Sequence, residues 1–115
     1  MPIPTLALSN VLRAGVWAWV KTMSGEAAPD GVTINVLAPG TIQTDRVTET
    51  TTKRAQQMGV SFDEALAQAA KEIPAGRLGT PEDFGPTGAF LASDKAGYIT
   101  GSMIRVDGGR VRSML

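Results

Sequence analysis

The sequence predicts an α/β fold of two parallel strands with about three to four helices, arranged as one partial domain over residues 1–115. Apolar side chains recur three and four apart over residues 8–23, the period of a helix that buries one stripe. Two short runs, 32–37 and 102–106, lack clean polar alternation and fit strands covered on both faces. Helical segments lie between them, and strand, helical crossover, strand is the order of a parallel βαβ unit.

The first helix is expected over 5–24. Its stripe is Leu8, Val11, Leu12, Gly15, Val16, Trp19, Val20 and Met23, with Pro2 and Pro4 ahead of it, where proline starts a helix without interrupting one. Gly25 and the Pro29-Asp30-Gly31 turn close it. Trp17 falls off the stripe beside Arg13 and Lys21, which gives the helix a second, partly apolar face. The strand expected over 32–37 stops at Pro39-Gly40. A lid segment then runs over 41–73, polar to Lys53 and weakly helical from Phe62, with Leu66, Ala69, Ala70 and Ile73 on one side. Pro74-Ala75-Gly76 reads as a turn, and Thr80-Pro81-Glu82-Asp83 as the capped, acidic start of a helix over 81–92. Asp107-Gly108-Gly109 turns the chain after the strand at 102–106, and Met58, Met103 and Met114 read as packing residues.

Composition removes whole classes of function. Eleven basic residues balance eleven acidic ones, so no partner is expected among nucleic acids or anionic membrane surfaces. No apolar run reaches the ~20 residues that span a bilayer, and a cytoplasmic protein is expected. Cysteine and histidine are both absent. That excludes a thiolate nucleophile, a Ser-His-Asp triad and the common zinc sites, and no metal site is expected. Acid or base chemistry would fall to carboxylates, Lys, Arg, hydroxyls or the single Tyr98.

Three spaced motifs carry a resemblance. "GVTINVLAPGTIQT", "IPAGRLGTPEDFG" and "YITGSMIRVDGG" stand in the order of an Asn-x-x-x-Pro-Gly-x-x-x-Thr strand end, a Pro-x-x-Arg-x-Gly-x-Pro-Glu-Asp turn and a final strand ending in Asp-Gly-Gly. In this the chain resembles the C-terminal half of a short-chain dehydrogenase/reductase, most of all the 3-oxoacyl-[acyl-carrier-protein] reductase-like members. The resemblance implies a Rossmann-type doubly wound fold and NAD or NADP as cofactor in the full-length family. It places Pro39, Gly40, Ile42 and Thr44 at the cofactor: the Ile42 backbone against the nicotinamide carboxamide, the Thr44 hydroxyl against carboxamide or phosphate. Gly40 would lack the Cβ that blocks a ligand's approach, and Pro39 would fix the chain direction there. Asn35 is implied to be structural.

The departures matter as much. No Gly-x-Gly-x-x-Gly occurs in these residues. The family's catalytic Tyr and Lys positions project onto Ser9 and Arg13, so no catalytic residue is assigned. A serine hydroxyl is a far weaker acid than a phenol, and Arg13 cannot give up its proton near neutral pH. Full family members run to roughly 250 residues, so tight cofactor binding is not expected of this chain alone. Two readings result. One is an NAD(P)-dependent oxidoreductase that interconverts small carbonyls and alcohols in the full-length fold, with this chain inactive by itself. The other is a non-catalytic oligomerisation or interaction module derived from that fold. An open strand edge and an uncovered stripe at residues 8–23 are expected to drive self-association, as a homodimer or tetramer.

Overall fold

A computed structural model describes residues 6–113, so the expectations placed on Pro2, Pro4, Thr5 and Met114 lie outside the described residues. Helix α1 spans Ala7–Ala27. It passes the expected end at 24 because Gly25 stays helical. The stop comes at Gly31, which takes the left-handed conformation (φ 73°) after a 3-10 turn at Ala28–Asp30. Val20 and Ser24 are the buried side chains of α1, whereas Leu8, Val11, Leu12, Val16 and Trp19 are 55–73 % exposed.

Strand β1 is Val36–Pro39, later than the expected 32–37. The residues before it have their hydrogen bonds elsewhere. Val32 N–H still bonds the Ala27 carbonyl at 3.3 Å, and Ile34 N–H goes to the Thr100 hydroxyl at 3.1 Å. The Asn35 amide takes the place of the next rung, donating to Ile99 O at 2.7 Å and accepting from Ser102 N–H at 3.1 Å. Strand β2, Met103–Val106, lies within the expected span. Val36 N–H bonds Ser102 O, and Gly40 N–H bonds Val106 O, an equal step along both strands that makes the pair parallel. In that phase Pro39, which has no N–H, falls where none is owed to β2.

The segment 41–73 holds two helices, α2 at Asp45–Met58 and α3 at Phe62–Lys71. The first replaces a stretch that reads as merely polar. Only Thr51 and Ala55 are buried on it, too little apolar surface to show as a stripe. Its threonines bond back one turn, Thr50 to Arg46 O and Thr52 to Thr48 O, both at 2.9 Å. Gly59 (φ 66°) ends it, and Ser61 opens α3 with a reciprocal capping box to Glu64. Helix α4 is Pro81–Leu91, one residue shorter than expected.

Two compact units emerge, one from Met1–Ala38 with Thr87–Ile104, the other from Pro39–Pro86 with Arg105–Leu115. The first is built around Val20, Ser24 and Ala96; the second around Thr51, Ala55, Ala65, Ile73 and Leu78. Among the described residues no helix is long and apolar enough to cross a membrane.

Candidate functional site

The second unit contains the strand end from Pro39 onward, together with Gly79 and the turn at Asp107. Gly40 follows β1, and a Cβ built on it would lie 2.5 Å from the Asp107 Cα and 2.8 Å from its Cβ. Glycine is required here by the neighbouring strand's turn, a reason the sequence motif alone does not show. Residues 41–43 then make one parallel rung with Gly79: Gly79 N–H bonds Thr41 O at 2.9 Å, and Gln43 N–H bonds Gly79 O at 2.8 Å. A parallel rung of this kind uses the groups flanking its central residue. The N–H and C=O of Ile42 therefore face away from Gly79.

Thr44 is the N-cap of α2, in extended conformation, and its hydroxyl makes no capping bond. The first amides of α2 thus lie beside an exposed hydroxyl, an arrangement suited to an anion, although Asp45 in the first turn lowers the local positive potential. Pro39, Gly40, Ile42 and Thr44 follow one another along a single run of chain. A cavity of about 310 Å³ opens beside this run, lined by Thr41, Ile42, Arg77, Asp83 and the Asp107 turn among others.

Two of its charged lining residues are engaged with each other. Arg77 grips Asp83 through both guanidinium arms, at 2.6 and 2.9 Å, and also donates to Leu78 O. Asp83 in turn accepts from Thr80 N–H at 2.8 Å, so the pair braces the start of α4. The hydrogen bonds from Arg77, then that from the Thr80 backbone, hold the Asp83 carboxyl well below the usual carboxylate range. The same bond to Asp83 raises the Arg77 guanidinium.

Ser9 and Arg13 belong to the first unit, where Arg13 Nε donates to Ser9 Oγ at 3.1 Å across one turn of α1. Further along that helix Lys21 donates to Gly101 O at 2.9 Å and sits over the Trp17 ring, 5.4 Å from its centre. Sequence reading places Asp107 in a turn and Gly79 in a motif without linking either to the strand end, and it misses the side chains of Arg54, Glu72 and Arg110 there. A bond between Thr41 and Arg110 spans 69 positions, and no local pattern announces it.

A parallel strand pair whose carboxyl end turns backbone groups and a helix N-terminus outward is the ligand-facing part of an open α/β fold. The family model for enoyl-(acyl carrier protein) reductase matches residues 1–110, and the chain belongs to the short-chain dehydrogenase/reductase family. It is 45% identical over 97 residues to the 3-oxoacyl-[acyl-carrier-protein] reductase FabG of Haemophilus influenzae, covering 84% of this chain and 36% of that protein. It is 34% identical over 113 residues to the NADPH-dependent reductase BacG of Bacillus subtilis, covering 98% of this chain and 44% of the relative. A short chain dehydrogenase family protein of Francisella tularensis superposes with a TM-score of 0.91 at 30% identity, over 98% of this chain and 47% of the other. The chain therefore spans less than half the length of these relatives, and its fold is a partial Rossmann-type one.

Proposed function

We propose that residues 39–44 form the nicotinamide-side edge of an NAD(P)-dependent oxidoreductase that interconverts small carbonyls and alcohols as a full-length fold. The observation that carries this reading is the rung at Gly79, which leaves the Ile42 N–H and C=O turned outward beside the uncapped Thr44 hydroxyl. Those groups fit a carboxamide, which offers one donor and one acceptor group. In this reading Ile42 orients the ring through its backbone, and Thr44 with the α2 N-terminus receives a phosphate or the carboxamide. When bound, the cofactor supplies or accepts hydride.

The relatives lend support. The Bacillus subtilis relative BacG is an NADPH-dependent reductase. A short chain oxidoreductase of Pseudomonas aeruginosa PAO1, TM-score 0.81 and 34% identity, is described as NADPH bound with an atypical catalytic center. In this chain Ser9 and Arg13 stand at the projected Tyr and Lys positions. The Arg13 bond orients the serine hydroxyl, but a hydroxyl of that acidity is a poor proton donor to a carbonyl oxygen. The chain by itself is accordingly read as inactive, with its chemistry belonging to the longer fold.

The second reading, a non-catalytic self-association module, is favoured by one observation. Leu8, Val11, Leu12, Val16 and Trp19 leave an apolar stripe open along α1. Titration with NADH and NADPH, followed by nicotinamide emission, separates the two. A response that keeps rising through the millimolar range supports the oxidoreductase edge; none at millimolar cofactor leaves the module.

A further inference from the structure

We propose that Arg110 is a positioning residue that clamps the strand-end segment 41–44 and, through Glu72, couples it to helices α2 and α3. The use of that segment as a cofactor edge rests on the reading above; the clamp itself rests on geometry within the second unit.

The turn that carries Arg110 is built to aim it. One Asp107 carboxylate oxygen accepts from Gly109 N–H at 2.9 Å and the other from Val111 N–H at 3.0 Å. Gly108 and Gly109 take positive φ values of 61° and 82°, which a side chain would resist. The turn is also pinned from both sides. Asp107 fills the space that a Cβ on Gly40 would need, and Gly108 O accepts from Ala75 N–H at 3.0 Å. A residue leaving such a turn has little freedom of direction.

Arg110 uses both arms of its guanidinium. Nη1 donates to Thr41 Oγ1, while Nη2 lies 3.7 Å from Glu72 Oε2. Glu72 caps the end of α3, and its other oxygen accepts from Arg54 of α2 at 3.0 Å. The chain Thr41–Arg110–Glu72–Arg54 thus ties the strand end to the C-terminal turn and to both helices of the 41–73 segment. Thr41 is also the residue whose carbonyl makes the rung with Gly79, so fixing its side chain fixes the rung that turns Ile42 outward. The Arg54, Glu72 and Arg110 side chains are 40–48 % exposed, so the network acts mainly through orientation and adds little to global stability. A planar fork reaches two partners at once, which an ammonium does poorly.

Amide hydrogen exchange on the chain and its Arg110→Ala, Arg110→Lys and Glu72→Ala variants tests this. Arg110→Ala should speed exchange at the Gly79 and Gln43 amides about fivefold while leaving Val36 and Gly101 N–H unchanged. Glu72→Ala touches neither amide and should still speed both, by a smaller factor. Arg110→Lys should fall between wild type and Arg110→Ala. Unchanged exchange at Gly79 and Gln43 in Arg110→Ala would overturn the proposal. So would an equal rise at Val36 and Gly101, which would mean general loosening, or a Glu72→Ala variant indistinguishable from wild type. No cofactor enters the experiment, so a failed NADPH titration would remove the oxidoreductase reading and leave this result standing.

Discussion

Gly40 and Asp107 stand so close that a methyl group on the glycine would lie 2.5 Å from the Asp107 Cα, nearer than side-chain carbons approach backbone. The obstructing atoms are backbone and Cβ, which cannot rotate away. Gly40→Ala should therefore push the ends of β1 and β2 apart and cost about 1–3 kcal/mol. Gly79→Ala is the contrast, because the one atom its Cβ would crowd is the tip of the flexible Ile42 side chain. Urea midpoints of the two variants check this, with Gly40→Ala expected to be clearly the less stable.

Asn35 acts in the first unit as a substitute rung. Asn35→Ala strands the Ser102 N–H and the Ile99 carbonyl together, for an expected loss of about 1–3 kcal/mol. Asn35→Asp keeps the acceptor for Ser102 but sets a carboxylate oxygen against Ile99 O, so it should not restore stability. Thermal midpoints of the two variants, measured at neutral pH, decide the point.

The Arg77–Asp83 brace sets a pH dependence with a definite sign. The folded carboxyl titrates below the ordinary aspartate value of about 3.9, so the brace contributes fully above that value and is lost as pH falls below it. Asp83→Asn should flatten this part of the acid-unfolding curve and leave the neutral-pH midpoint little lowered, since Arg77 is largely exposed. A curve as steep below pH 4 as that of the wild type would assign the acid sensitivity to other carboxylates.

The open stripe on α1 leads to a prediction about association. Sedimentation at micromolar concentration should show a dimer or larger species, and Leu12→Glu should shift it toward monomer. A sharp monomer that unfolds cooperatively would remove the self-association reading.

Much of the fold was legible because its signals are local. The period of α1, the acidic start of α4 and the Pro-Gly strand end are each written within a few residues. Helix α2 was not legible, because its buried face is one threonine and one alanine. The start of β1 was misread because Asn35 and Thr100 side chains satisfy backbone groups that strand pairing would otherwise have taken. At the candidate site, Gly40 was picked out by its motif. Its physical partner, Asp107, and the Arg110 clamp lie far along the chain, where no spacing rule reaches.

The most direct test of the central claim is an NMR titration of isotopically labelled chain with NADPH, read at the backbone amides. Weak binding, on the order of 1 mM, with shifts concentrated at Ile42, Thr44 and the first turn of α2, is the expected result. Shifts confined to other surfaces, or none at all at that concentration, would contradict the assignment of residues 39–44 as the nicotinamide-side edge.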